Sequence, residues 1–237
     1  STPSNSSAAS DVYKRQPLIT ALVAGQREVF SLLILFFVGI LYHIFGFVLN
    51  EYFDIDIDKK SSDLSKKPLV SGRIPQRHAL FISTAACISA FIIAGVFFLS
   101  TYPILFLSLA FLLGGLYDAF GKKITGSDFI LGGAFFFLCL FGASTFSNHF
   151  TLLIYTVCLV YFIQIIFNNA VEGGLKDIDH DSLADVKTLI SYMGVKLRKR
   201  VLHFTKTFKG FAVVLRIIFV VLITCLVIQS IRVFYSA

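Results

Sequence analysis

The sequence predicts an all-α protein, a polytopic bundle of membrane-spanning helices. Hydrophobic residues make up 56% of the 237 residues, and charged residues only 15%, well below the roughly 25% that is usual in soluble domains. The mean hydropathy is +0.80. The apolar residues also gather in runs of about 20, which is the length that a helix needs to cross a hydrocarbon core.

Six apolar runs are long enough to be complete spans. Only a few residues separate the second run from the third, which predicts a tight helical hairpin. The fourth run contains Gly132, Gly133 and Gly142, and small residues of this kind allow helices to pack closely in lipid. The predicted spans are residues 29–49, 79–100, 103–119, 128–147, 150–168 and 210–231.

The two ends of the sequence differ from this pattern. Residues 1–16, STPSNSSAASDVYKRQ, are polar and low in complexity. They resemble a translated sequencing-adaptor remnant of the kind found in metagenomic sequence sets, so we expect them to lie outside the fold. Residues 17–25 then fit the tail of an earlier, partial span, and the chain stops soon after an apolar run. We expect residues 17–237 to form one transmembrane domain that is incomplete at both ends.

The basic residues predict the orientation in the membrane. Lys and Arg cluster in the connections that follow spans one, three and five, whereas the turns at 101–102 and 148–149 contain neither. By the positive-inside rule, the three basic connections lie on the cytoplasmic side of the cell membrane. The run at residues 198–200 fits a patch that contacts anionic lipid, and no nucleic-acid partner is expected.

The acidic residues are clustered in a way that solvation does not require. Ten of the 14 acids fall within residues 51–63 and 172–185, after the first and fifth spans. Residues four apart share one face of a helix. Both windows show this interval, which gives the rows Asn50, Asp54 and Asp58, and Asp177, Asp181 and Asp185. Carboxylates repel each other at this spacing, and the negative end of a helix dipole disfavours them further.

Such rows call for a cation. Oxygen ligands without a Cys or His array indicate a hard ion, Mg²⁺ or Mn²⁺. An EF-hand calcium loop needs Gly at its sixth position and Glu at its twelfth, and neither window has them. Mg²⁺ commonly binds through one or two carboxylates together with substrate phosphates. With Lys and Arg nearby and an apolar bundle behind, the acids indicate a site for a lipid diphosphate at the membrane surface.

Four stretches of the sequence resemble the UbiA superfamily of intramembrane prenyltransferases. The segment NEYFDIDID has the family's first Asp motif, with Glu51 in place of an Asp. The segment KDIDHDSLADVKTL is similar to the family's second Asp motif, with Asp185 where Gly is usual. The other two stretches are KKPLVSGRI, with Lys67 for Arg, and YDAFGKK, which is similar to the Tyr and Lys loop between the two motifs.

The resemblance implies a UbiA-like helical bundle and an activity. The implied reaction is Mg²⁺-dependent transfer of a prenyl group from an allylic polyprenyl diphosphate to an aromatic or lipid acceptor within the membrane. Matching the family's motifs residue by residue implies that Asp54, Asp58, Asp177 and Asp181 are the metal and catalytic residues, with Tyr117 near the reacting carbon. The same matching gives the diphosphate contacts as Asn50, Lys67, Arg73, Lys122 and Lys187.

Two other functions are compatible with paired acidic motifs. A membrane cation transporter also places acids in its helices, but along a path through the membrane. Here the acids follow the ends of spans, on one predicted side. A catalytically inactive fragment that binds Mg²⁺ and diphosphate is the second alternative.

Overall fold

The computed structural model describes residues 14–60, 64–178, 188–198 and 201–236. Its first half is helical. Two short helices accompany three long ones, and a 3₁₀ turn at Leu64–Lys66 precedes the second long helix. These helices are α1 (Gln16–Ala24), α2 (Val29–Phe53), α3 (Ile55–Asp58), α4 (Gln76–Phe97) and α5 (Thr101–Phe120).

The second half adds helices and one small hairpin. Helix α7 continues without a break into a π-helical segment, Phe167–Gly173, and then to Ile178. The remaining elements are α6 (Asp128–Ser144), α7 (Leu152–Ile166), α8 (Leu189–Tyr192), β1 (Lys196–Arg198), β2 (Val201–His203) and α9 (Lys206–Ser236).

The membrane-spanning character of the fold is confirmed. Within the described ranges, five helices are long and apolar enough to cross a membrane, namely α2, α4, α5, α7 with its π-helical extension, and α9. Helix α6 is as apolar but shorter, at 17 residues. Each of the six predicted apolar runs falls on one of these helices. Their outward faces carry large apolar side chains, such as Phe81 at 72% exposure and Val96 at 69%, as expected of surfaces that contact lipid.

The helices pack around a core rich in aromatic side chains. Helix α2 contacts α4 and α5, while α6 lies between α5 and α7, and α9 packs on α7. The ring of Phe111 on α5 lies 5.1 Å from Tyr42 and 4.8 Å from Phe45, both on α2. These contacts join the first and third spans.

Glycines allow the closest helix contacts, as the fourth span predicted. A Cβ atom on Gly142 of α6 would lie 2.1 Å from the backbone oxygen of Pro17 in α1. A Cβ on Gly132 would lie 3.0 Å from the ring of Phe162 in α7. Helix α6 therefore contacts both neighbours at distances that larger residues would prevent.

The hairpin is a small departure from the all-α prediction. Strands β1 and β2 pair antiparallel, with Leu197 opposite Leu202. Both leucines pack against the buried cluster that contains Ile190 and Val195. Leu202 is less exposed than the residues on either side of it, and Leu197 is less exposed than the residue before it, as expected of a half-buried strand pair. Three residues per strand are too few to recognise in the sequence.

Candidate functional site

A polar cavity of about 500 Å³ opens at one end of the bundle. Successive spans run in opposite directions, so the C-terminal ends of α2, α5 and α7 and the N-terminal end of α6 meet here. Five predicted site residues from the first half of the chain line this cavity, namely Asn50, Asp54, Asp58, Lys67 and Tyr117, and they are joined by Lys122 and Asp177.

The first acidic row lies along one wall. Helix α2 ends at Phe53, yet the helical hydrogen bonds continue past it. The Asp54 amide donates to the Asn50 carbonyl at 3.0 Å, and the Asp58 amide donates to the Asp54 carbonyl at 2.8 Å. The row therefore keeps one face, as its spacing predicts. Asp56 points away, with a side chain 92% exposed, and pairs with Lys59 at 3.1 Å.

Two lysines neutralise the carboxylates of this wall. The Nζ atom of Lys67 lies 2.8 Å from Asp58 Oδ2 and 2.9 Å from Glu51 Oε1. The Nζ atom of Lys122 lies 3.0 Å from Asp54 Oδ2. Asp54 and Asp58 are only 8% and 3% exposed. Buried carboxylates of this kind require a charged partner.

Burial and pairing act in opposite directions on these groups. Burial raises the pKa of Asp54 above its ordinary value, and the neighbouring Lys122 offsets part of this effect. Burial also favours the neutral form of Lys67, but its hydrogen bonds to Asp58 and Glu51 outweigh burial and raise its pKa. Lys67 is therefore firmly protonated.

The facing wall comes from α5, α6 and the π-helical segment. Asn169 of that segment donates to the Tyr117 hydroxyl and to Asp128 Oδ1, each at 2.7 Å. Asp177 lies exposed at the margin of the cavity, one turn after the π-helical segment. The other two residues predicted in this region, Asp181 and Lys187, lie outside the described residues.

A model of the UbiA prenyltransferase family matches residues 17–237. The chain belongs to this family. It is 28% identical over 196 residues to the 4-hydroxybenzoate octaprenyltransferase of Francisella tularensis subsp. tularensis (strain FSC 198), covering 79% of this chain and 66% of that protein. The chain thus spans slightly less than two thirds of that relative's length.

Other relatives of this UbiA-family chain come from archaea. The digeranylgeranylglyceryl phosphate synthase of Saccharolobus solfataricus is 30% identical over 159 residues, covering 66% of this chain and 54% of the relative. A solved UbiA homologue from Archaeoglobus fulgidus, bound to DMAPP and Mg²⁺, superimposes with a TM-score of 0.70 at 18% identity. The superposition covers 92% of this chain and 75% of that one, and it establishes the shared fold.

One predicted contact of the UbiA-family site lies elsewhere. Arg73 is exposed and does not line the cavity, and its Nη2 atom donates to the Lys66 carbonyl at 3.1 Å. Its assignment to the diphosphate stays a prediction, and reaching the cavity would require this side chain to leave its backbone partner.

The structure adds three polar residues that the sequence analysis did not single out. Asp128 and Asn169 line the cavity. Asp118, beside Tyr117 on α5, has a buried Oδ2 atom with no hydrogen-bond partner within the described part of the chain. All three lie at the ends of apolar segments. Polar groups within or beside a membrane-spanning segment are functional candidates by default, and this signal in the sequence could have identified them.

The donor set fits Mg²⁺ held jointly with a ligand. Across the described ranges, no group of three or more His, Cys, Asp or Glu side chains converges closely enough to hold a metal alone. Mg²⁺ does not need such a cage, because one or two carboxylates, waters and substrate phosphates complete its coordination. Asp54 and Asp58 on one wall, with Asp177 at the margin of the same cavity, can supply those carboxylates.

Proposed function

We propose that this protein transfers a prenyl group, in a Mg²⁺-dependent reaction, from an allylic polyprenyl diphosphate to an aromatic or lipid acceptor within the membrane. One observation carries the proposal. A cavity of about 500 Å³ at the end of an apolar bundle combines buried carboxylates with two lysines that line the same space. This combination suits a ligand with a highly charged head and a hydrocarbon tail.

Prenyl diphosphate is the donor that best suits this cavity. The Archaeoglobus homologue with the same fold was solved with DMAPP and Mg²⁺, and two related enzymes are named for octaprenyl and digeranylgeranyl products. The diphosphate would lie among the polar side chains at the end of the bundle. The prenyl chain would extend along apolar surface toward the membrane interior, where its burial is favourable.

Each polar group has a role in binding the head. Asp54, Asp58 and Asp177, with Asp181, would hold the metal, Mg²⁺ or Mn²⁺. Lys67 and Lys122 would exchange their carboxylate partners for diphosphate oxygens, and Asn50 would orient the head by hydrogen bonding. When bound, the metal neutralises charge that develops on the leaving diphosphate. The lysines supply further stabilisation of the same charge.

The transfer follows from this binding mode. The bond between the allylic carbon and the diphosphate oxygen breaks, and its electron pair stays on the oxygen. The spans exclude water from the resulting allylic cation. An electron pair of the acceptor forms the new bond to that carbon, and the acceptor then releases a proton. Pyrophosphate is the second product.

The acceptor class and the orientation are parts of the same proposal. One relative is named for an aromatic acid and another for a glyceryl phosphate, so both acceptor classes remain candidates.

The basic connections follow the spans whose ends form the cavity. By the positive-inside rule the cavity would open to the cytoplasm. The cavity carboxylates lie at helix ends, which favours a surface site over a transport path.

The test is a transfer assay with the full-length protein in membranes. Radiolabelled geranyl diphosphate and longer homologues are offered with 4-hydroxybenzoate and with glyceryl phosphate lipids, in Mg²⁺ and in excess chelator. We expect one prenylated product that disappears in chelator and returns with added Mg²⁺. Product formation undiminished by chelator would contradict the metal's role. Retention of labelled diphosphate on the membranes without any product from the panel would contradict the proposed transfer.

A further inference from the structure

Asn169 joins two helices through a single nitrogen. Its Nδ2 atom donates to Tyr117 on α5 and to Asp128 at the start of α6, each at 2.7 Å. All three side chains line the cavity. The carboxylates of the first acidic row pair with lysines, so this network is separate from those ion pairs.

The partners determine the orientation of the Asn169 amide. An ionised carboxylate can only accept hydrogen bonds, so Asp128 requires the nitrogen of the amide to face it. Both hydrogens of that nitrogen are then used, one by Asp128 and one by the oxygen of Tyr117. Tyr117 consequently acts as an acceptor toward Asn169. Its own hydroxyl hydrogen finds no acceptor among the side chains that the structure describes, and it can point into the cavity.

The backbone at Asn169 is unusual in a way that serves this contact. Asn169 lies in the π-helical segment Phe167–Gly173, and π-helical turns are rare and frequently mark functional sites. The neighbouring Asn168 instead accepts from Gln164 on its own helix. Adjacent asparagines thus point in different directions, and only Asn169 reaches the cavity.

We propose that Asn169 is a positioning residue for Tyr117, and that Asp128 fixes the orientation of its amide. This inference rests on the proposed function. Held in this way, the Tyr117 hydroxyl donates a hydrogen bond to the diphosphate oxygen that receives the electron pair as the allylic bond breaks. The proton stays on Tyr117. The bond strengthens as charge develops, so it lowers the barrier more than it tightens binding.

The test is a double-mutant cycle on transfer kinetics in the full-length protein. Tyr117→Phe removes the donor, and a single such donor is worth about 10²–10³ in kcat. Asn169→Ala leaves the hydroxyl misaligned, and we expect kcat to fall about 10- to 100-fold with the KM for prenyl diphosphate changed less than about 3-fold. In the Tyr117→Phe background, Asn169→Ala should produce no further loss.

Two further variants separate positioning from folding. Gln164→Ala, the matched control one turn earlier on the same helix, removes an amide that does not line the cavity and should keep the rate of the unaltered protein. Asp128→Asn preserves size but frees the Asn169 amide to turn over. It should lower kcat in the presence of Tyr117 and have no effect in Tyr117→Phe.

The outcomes distinguish this inference from the proposed function. An unchanged kcat in Asn169→Ala would overturn the inference, as would losses that multiply when Asn169→Ala and Tyr117→Phe are combined. If Asp54→Ala is inactive in the same assay, the proposed function stands even then. An unaltered protein without any transfer activity would overturn both.

Discussion

Lys67 is expected to oppose Mg²⁺ binding, because it pairs with Asp58, and to assist prenyl transfer, because it would contact the diphosphate. Replacing Lys67 separates these two effects. In the structure its ammonium group lies 2.8 Å from Asp58 and 2.9 Å from Glu51. A metal that approaches Asp58 must displace this lysine. We therefore expect Lys67→Met to bind Mg²⁺ more tightly than the unaltered protein when no diphosphate is present, while its prenyl transfer falls about 10²–10³-fold for lack of a diphosphate contact.

The size of the gain follows from the two bonds. Charge-assisted hydrogen bonds contribute about 1.5–3 kcal/mol each when buried. The Lys67 side chain is 31% exposed, so we take about half that value for each bond. The two bonds together then hold Asp58 and Glu51 by about 1.5–3 kcal/mol, which corresponds to about 10- to 150-fold in the dissociation constant of Mg²⁺.

Isothermal titration of the purified protein with Mg²⁺ measures this constant. Lys59→Met is the matched control, because it removes the same charge from the same segment but only from the exposed Asp56. It should leave the affinity within about 3-fold, since solvent screens exposed charges. Unchanged or weaker Mg²⁺ binding in Lys67→Met would refute the competition between lysine and metal.

Two further predictions concern the bundle and its orientation. Gly142→Ala should lower the thermal unfolding temperature by several degrees, because the added carbon would lie 2.1 Å from a backbone oxygen of α1. Gly95→Ala, with open space around it, should be neutral or stabilising by about 0.5–1 kcal/mol, and equal shifts for the two would contradict the packing. In a variant without the four native cysteines, Lys60→Cys and Ser191→Cys should react with an impermeant thiol reagent from the cytoplasmic side and Asn148→Cys from the other. Labelling of all three from one side would overturn the orientation.

The helical architecture could be predicted from the sequence because lipid imposes a simple requirement. A spanning segment must be apolar over about 20 residues and must satisfy its backbone internally, so each apolar run became a helix. The first acidic row could be predicted for a similar reason. Asn50, Asp54 and Asp58 lie on one helical face by their spacing alone, and local hydrogen bonds preserve that face in the structure.

The contacts between distant segments could not be predicted in this way. The distance of 2.7 Å between Asn169 and Tyr117 depends on how α5 packs beside the π-helical segment, and no local pattern encodes that packing. The same holds for the choice of Lys67, rather than Arg73, as the partner of Asp58. Motif spacing places both residues near the acids, but only the course of the 3₁₀ turn and the following loop decides which one enters the cavity.

Prenyl thiodiphosphate resists reaction, so its binding to the unaltered protein, to Asp54→Ala and to Asp177→Ala shows whether both acidic segments are needed to hold the diphosphate. We expect the unaltered protein to bind it only with Mg²⁺. Neither variant should bind it tightly even in Mg²⁺, because the two acidic segments hold one metal-bound head together. Tight, Mg²⁺-dependent binding by either variant would show that its wall is not needed and would contradict the account.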